Sequence, residues 1–122
     1  MGKDVIGWKL DASERAGLLD RFEPRWREVV ADHVTLMSDT ADAPLPGATH
    51  GEIVGRADDG HGVEALVMRI DGTTARPGGG TYHITWSLGP GRTAAESNDV
   101  IGEQGWLPFD EPIAIALFPA RF

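Results

Sequence analysis

The chain has 122 residues, of which 41% are hydrophobic, and it carries a net charge of −8 with no cysteine. This length and composition favour one folded domain over residues 1–122 and exclude a wholly disordered chain, disulfides, thiolate metal sites and a cysteine nucleophile. The negative charge excludes DNA coating and general RNA coating, but a small anion or an RNA end can still bind where a few cations are focused.

No segment approaches the ~20 consecutive apolar residues of a membrane helix, and no signal-peptide pattern opens the sequence. We therefore expect a cytoplasmic protein without membrane contact. The sequence gives no indication of an oligomeric state.

The first predicted element is a helix. Asp11 and Glu14 have the spacing of a capping box, the apolar residues of 18–22 share one face, and Pro24 ends the run. Apolar residues at near-helical spacing within 26–30 predict a second short turn.

The rest of the chain is rich in strand patterns and glycine turns. We predict strands over residues 32–37, 52–57, 63–70, 82–88 and 111–118, loops over 38–50 and 71–80, and a short helix over 93–101. The second and third strands form a hairpin around a glycine turn. The expected class is α+β, built around an antiparallel or mixed sheet.

Two predicted strands share the pattern His, apolar, Thr, apolar. One is H-V-T-L, with His33 and Thr35, and the other is H-I-T-W, with His83 and Thr85. Side chains alternate along a strand, so the His and Thr of each pattern share one face, roughly 7 Å apart. If the strands are neighbours, two imidazoles and two hydroxyls converge on one cleft.

Such a group of side chains suits phosphate chemistry. Two imidazoles can act as base and acid near neutral pH, and two hydroxyls can donate hydrogen bonds to phosphate oxygens. This arrangement requires no metal and no cofactor. The alternative is that each pattern is a structural coincidence in a small interaction domain, although a second copy in a chain with four histidines argues against it.

In these two patterns the sequence resembles the two-histidine phosphoesterase superfamily, and most closely the cyclic phosphodiesterase domain of fungal and plant tRNA ligases. D-H-V-T-L-M over 32–37 is similar to the first family motif, and Y-H-I-T-W-S-L over 82–88 is similar to the second. T-A-A-E-S-N over 93–98 is similar to the segment that follows the second motif. Ala95 stands where the family carries a lysine, and the chain is shorter than most members.

The resemblance implies a bilobed α+β fold with pseudo-twofold symmetry and the metal-independent hydrolysis of a 2′,3′-cyclic phosphate to a 2′-phosphate. The expected substrates are RNA 2′,3′-cyclic phosphate ends or small cyclic nucleotides, with cyclic dinucleotides and ADP-ribose cyclic phosphate also open. His33 and His83 would be the acid–base pair, and Thr35 and Thr85 would hold the phosphate. We assign His83 as the base on water and His33 as the acid to O3′; the reverse assignment would suit the opposite regiochemistry.

Four further residues are candidates for substrate contacts. Arg76 and Arg92 lie in the glycine-rich loops that flank the second motif, where they either contact phosphate or base or are solvated surface arginines. Ser97 and Asn98 either cap a turn near the cleft or bind the ligand.

The neighbours of the two motifs have simpler expected roles. Tyr82 and Trp86 are predicted core residues. Ser87 is predicted to lie at the rim of the cleft, where it is either a solvated hydroxyl or a ligand contact. Met37 either fills a gap in the core or lines a base pocket.

A second function class stays open, in which a nucleotide-binding module of the same fold senses its ligand without cleaving it. The presence of both histidines and both threonines argues for the enzyme, since a binding module has no need for two proton-transfer groups.

Overall fold

The computed structural model describes residues 5–38 and 42–122, so that residues 39–41 of the predicted loop at 38–50 lie outside the described residues. The elements in chain order are β1 (Ile6–Leu10), α1 (Ala12–Arg21), β2 (Glu28–Val29), β3 (His33–Met37), β4 (His50–Asp58), β5 (Val63–Arg69), β6 (His83–Leu88), α2 (Glu96–Gln104) and β7 (Leu107–Arg121).

Six strands close into an antiparallel barrel. Their order is β6-β3-β1-β7-β4-β5, and β5 pairs back onto β6, while the short β2 pairs with the end of β6 beyond β3. All pairings between these named strands are antiparallel. Closure removes free sheet edges, which stabilises a small sheet-rich domain. The antiparallel form of the predicted sheet is confirmed, and two helices accompany the barrel.

The core fills the barrel from several strands. Its largest fully buried side chains include Trp8 on β1, Leu66 and Met68 on β5, and Trp86 on β6. The indole of Trp86 donates a hydrogen bond to the carbonyl of Phe22 at 2.7 Å, so that its polar atom is satisfied although the ring is buried. The predicted core position of Trp86 is confirmed. Tyr82 is buried in the same cluster, as predicted.

The first helix begins as its sequence predicts. The carboxylate of Asp11 accepts a hydrogen bond from the backbone N–H of Glu14 at 2.9 Å. The Glu14 carboxylate does not complete a capping box, since it accepts from the N–H of Ala116 on β7 at 2.8 Å. This residue therefore ties α1 to the barrel.

The prediction of a helical turn within residues 26–30 is wrong. Val29 pairs with Ser87 in β2, and the N–H of Val30 donates to the carbonyl of Trp86 at 3.0 Å. The spacing of apolar residues in so short a segment fits a helix or a strand, and pairing with β6 decides for the strand. The strand β1, which the sequence pattern did not indicate, is likewise held by its two neighbours, β3 and β7.

The predicted position of Ser87 at the rim of the cleft is also wrong. Ser87 is fully buried, its Oγ accepts from the N–H of Trp26 at 3.0 Å, and it donates to the carboxylate of Glu64 at 2.6 Å. The cause is that the segment around Trp26 covers this end of β6. Met37 is 37% exposed and is not a core residue.

Candidate active site

The two His-apolar-Thr strands are neighbours in the barrel. Val34 of β3 pairs with Ile84 of β6 in antiparallel register. Both residues are fully buried, so the histidine and threonine of each strand face away from the core. Antiparallel pairing therefore sets Thr35 across from His83 and the two histidines diagonally across one face.

These side chains share one cavity of about 260 Å³. Its walls are formed by His33, Thr35, Ser38, Arg76, His83, Thr85, Ala94, Ala95 and Asn98. The structure thus brings together six of the eight residues that the sequence indicated as catalytic or substrate-binding. Arg92 and Ser97 do not line the cavity.

The hydrogen bonding of His83 defines its tautomer. Its Nδ1 lies 2.8 Å from the backbone carbonyl of Thr81. A carbonyl only accepts, so Nδ1 carries a proton and Nε2 keeps its lone pair. Burial lowers the pKa of His83; the hydrogen bond to Thr81 opposes this change, the positive charges of Arg76 and His33 add to it, and the pKa stays below its usual value. His83 is therefore neutral near pH 7, the form that a general base needs.

His33 has a different partner. Its Nδ1 lies 3.0 Å from Oδ2 of Asp32, and the ammonium of Lys9 lies 2.5 Å from the same oxygen. Burial acts to raise the pKa of Asp32, but the hydrogen bonds from Lys9 and His33 outweigh it and leave that pKa below its usual value. An ionised carboxylate can accept the Nδ1–H of a protonated His33, whose Nε2–H then remains to donate. The ring of Phe122 packs against the imidazole at a centroid distance of 4.6 Å.

Asp32 is a site residue that the sequence reasoning missed. Alternation along a continuous strand places residues 32 and 33 on opposite faces. The chain bends instead between β2 and β3, where Ala31 has a positive φ of 41° and its carbonyl accepts from Nε of Arg15 at 2.6 Å. Next to this bend the Asp32 carboxylate reaches the His33 ring. The only sequence signal was its place directly before the histidine.

The hydroxyls of the two motif threonines differ in their hydrogen bonding. The hydroxyl of Thr85 lies 2.8 Å from that of Ser97, which is fully buried on α2, and 3.5 Å from the carbonyl of Ala94 at the cavity wall. Ser97 thus lies behind Thr85 and orients it. The hydroxyl of Thr35 makes no hydrogen bond to any residue of the described parts of the chain, 5–38 and 42–122, and is free to donate to a ligand.

Arg76 and Asn98 converge at Gly80. Oδ1 of Asn98 accepts from the N–H of Thr81 at 3.0 Å, which leaves its amide N–H groups for a ligand. Nε of Arg76 donates to the carbonyl of Gly79 at 3.2 Å, leaving the outer nitrogens of the guanidinium. Gly80 has φ of +87°, and a Cβ there would overlap the Asn98 amide and Nη2 of Arg76. Glycine at this position therefore permits both polar groups to reach the cavity.

Arg92 has a structural role instead of a place at the cavity. Its guanidinium lies 2.9 Å from the carboxylate of Asp59 and 3.0 Å from that of Glu96, and donates to the carbonyl of His61 at 2.7 Å. These bonds tie the start of α2 to the turn between β4 and β5. Ala95 does line the cavity, and the cation among the lining residues is Arg76.

A larger cleft of about 730 Å³ lies elsewhere, lined by residues that include Arg25, Arg56 and Trp106. Arg25 pairs with Asp58, and Arg56 pairs with the buried Glu64. Because its arginines are already neutralised and no histidine lines it, we place the candidate chemistry in the smaller cavity.

Residues 5–38 and 42–122, which the structure describes, contain neither a candidate metal site nor a candidate membrane span. No three His, Asp or Glu side chains within this part of the chain are arranged to hold a metal ion. Neither helix in the same ranges has the length and apolar character needed to span a membrane.

Comparison of the chain with protein-family models, with curated proteins and with solved structures gives no match.

Proposed function

We propose that this protein is a metal-independent phosphodiesterase that hydrolyses the 2′,3′-cyclic phosphate of a small nucleotide or an RNA 3′ end. One observation carries the proposal. Two histidines, each with a different kind of hydrogen-bond partner, line the same cavity as two threonines. His83 is neutral and bonded to a carbonyl, whereas His33 is bonded to a carboxylate. This asymmetry is what acid–base catalysis with one group of each kind requires.

In the proposed reaction, Nε2 of His83 takes a proton from water as the water oxygen attacks phosphorus. The bond from phosphorus to O3′ breaks, and O3′ takes the proton from Nε2 of His33. The product is a 2′-phosphate, with His83 protonated and His33 neutral, and solvent exchange of one proton each restores the starting forms. The two side chains supply both proton transfers, so the step uses no further co-reactant.

The negative charge on the phosphate increases as water adds, and the cavity provides donors for it. The hydroxyls of Thr35 and Thr85 and the amide of Asn98 donate to the non-bridging oxygens, while Arg76 supplies positive charge. Helix α2 begins beside Ala95 at the cavity wall, where its N-terminal dipole favours an anion and the first-turn carboxylates of Glu96 and Asp99 oppose one.

Together with this activity we propose the bilobed, pseudo-twofold fold that the resemblance implies. An antiparallel strand pair has a local twofold axis perpendicular to the sheet, and here it would pass near the Val34–Ile84 pair. The supporting observation is that the axis relates His33 and Thr35 of β3 to His83 and Thr85 of β6.

The test is hydrolysis of 2′,3′-cyclic AMP and of a short RNA with a 2′,3′-cyclic end, both in the presence of EDTA, with the product identified by phosphorus NMR. We expect turnover to a 2′-phosphate, reduced by roughly 100-fold or more in His33→Ala and in His83→Ala. His61→Ala, which changes a histidine outside the cavity, is the matched control and should retain turnover.

Turnover that survives in both cavity variants would rule out the acid–base pair. Binding of the cyclic nucleotide without turnover by the folded wild-type protein would replace the enzyme with a sensing module. A 3′-phosphate product would reverse the assignment of base and acid.

A further inference from the structure

A second cavity, of about 290 Å³, lies beside the candidate active site. It shares Ser38 and Arg76 with that site, and its other walls are Leu36, Met37, Gly78 and Gly79. We call this second cavity the alcove. The two common wall residues place the cavities next to each other, so a ligand whose phosphate lies between the histidines has the alcove beside it.

The walls of the alcove suit a flat, partly polar ring. Met37, on the outward face of β3, offers apolar contact, and its thioether packs favourably against aromatic systems. Gly78 and Gly79 add peptide units without side chains. The guanidinium of Arg76 can stack on a ring or donate to acceptors at its edge. No carboxylate lines the alcove among the described residues.

Size also indicates an occupant with two parts. Each cavity is smaller than the ~300 Å³ at which small-molecule sites begin, but the two together fall within the usual range. A cyclic phosphate alone would occupy the first cavity only. In a 2′,3′-cyclic nucleotide the base and the 2′ and 3′ oxygens lie on opposite faces of the ribose, so the base extends away from the phosphate.

We propose that the alcove binds the nucleobase of the substrate, with Met37 and Gly78 as specificity-determining residues. This inference rests on the proposed function, because the phosphate of the same ligand occupies the catalytic cavity. The protein then selects cyclic nucleotides over cyclic phosphates of the sugar alone.

The experiment compares kcat/KM for 2′,3′-cyclic AMP with that for methyl riboside 2′,3′-cyclic phosphate, which has a methoxy group in place of the base. Gly78→Val is the blocking variant, because it adds a branched side chain to a wall of the alcove. The fold should tolerate this change, since a Cβ at Gly78 meets nothing within 4 Å and the residue does not have a positive φ. Gly47→Val meets the same two conditions, lies outside both cavities and is the matched control.

We expect the wild type and Gly47→Val to prefer the nucleotide by roughly tenfold or more. In Gly78→Val the ratio of the two kcat/KM values should fall to about one. Equal values for the two substrates in the wild type, or an unchanged ratio in Gly78→Val, would overturn the alcove as a base site.

If the wild type turns over neither substrate, the proposed function fails. Binding measured by calorimetry then tests separately whether the alcove is a base site. Tighter binding of 2′-AMP than of methyl riboside 2′-phosphate, lost in Gly78→Val, would support the base site without the enzyme. Equal affinities, or no binding of either compound, would overturn it.

Discussion

The imidazole of His83 donates its Nδ1–H to the backbone carbonyl of Thr81, 2.8 Å away on the same chain segment. A backbone partner cannot change its charge, so the bond sets the tautomer of His83 without supplying a counter-charge. At the other motif, the ring of His33 lies against the Asp32 carboxylate, which itself contacts Lys9. The two histidines are thus equivalent in sequence pattern but not in electrostatic environment.

The first prediction concerns pH. Because burial and the nearby positive charges lower the pKa of His83, its base form persists below pH 6.5, the usual value for histidine. We expect the decline of kcat/KM with falling pH to lie at lower pH than a histidine with the usual pKa of 6.5 would give. In Arg76→Gln the pKa of His83 should rise, which moves this acidic limb to higher pH. Rates measured from pH 4.5 to 8, with NMR titration of His83, check both statements, and a limb that Arg76→Gln leaves in place would contradict the electrostatic origin.

The lowered pKa of His83 also has a consequence for stability. Below pH 6.5 the unfolded chain binds a proton at this histidine that the native state resists, so this group reduces the free energy of unfolding as pH falls. In His83→Gln the free energy of unfolding should therefore fall less between pH 7.5 and 5.5 than in the wild type. Urea unfolding of both proteins at the two pH values measures this difference. Equal losses in both would exclude a proton-linked cost at His83.

The second prediction concerns Asp32 as a positioning residue. Asp32→Asn should lower kcat by roughly tenfold or more with little change in KM, because the neutral amide no longer stabilises protonated His33. Nitrogen-15 NMR of the His33 ring supplies a readout apart from activity and should show a changed tautomer balance. Asp110→Asn, an exposed carboxylate on β7, is the control. An unchanged ring spectrum together with an unchanged kcat would remove Asp32 from the site.

The third prediction separates backbone strain from a steric clash. Gly80 and Gly72 have similar positive φ angles, +87° and +81°, but only a Cβ at Gly80 would meet other atoms, those of Arg76 and Asn98. Both alanine variants should lose stability to a similar degree, by about 1–2 kcal/mol. Gly80→Ala alone should raise KM, by roughly tenfold, since it displaces two phosphate donors. Thermal unfolding and steady-state kinetics measure the two effects, and a matching rise of KM in Gly72→Ala would show that strain alone accounts for it.

The fourth prediction concerns a buried carboxylate outside the site. Glu64 is fully buried, accepts from the N–H of Arg25 and the hydroxyl of Ser87, and pairs with Arg56. Glu64→Ala should lower the free energy of unfolding by about 3–5 kcal/mol, because it leaves a guanidinium and a hydroxyl without their partner. Urea unfolding measures the change.

The control for that variant is Glu52→Ala, which breaks the exposed pair with Arg69 and should cost about 0–1 kcal/mol. Similar costs for the two variants would show that burial adds nothing to the Glu64 network.

Local patterns in the sequence were sufficient for much of this protein. The start of α1 at Asp11, the hairpin of β4 and β5 and the two motif strands depend on side-chain spacing and on turn residues, which act between near neighbours in the chain. The inward direction of Val34 and Ile84, and with it the outward direction of the four motif side chains, likewise follows from alternation along a strand.

Tertiary structure decided the remainder, because those features depend on contacts between distant segments. Pairing with β6 made residues 28–29 of the predicted helical turn into β2, and closure of the barrel between β5 and β6 set Ser87 opposite the buried Glu64. The bend at Ala31 brought Asp32 to His33. Of two arginines with the same sequence context, folding placed Arg76 at the cavity and engaged Arg92 with Asp59, because only the packed chain determines which carboxylates lie within reach.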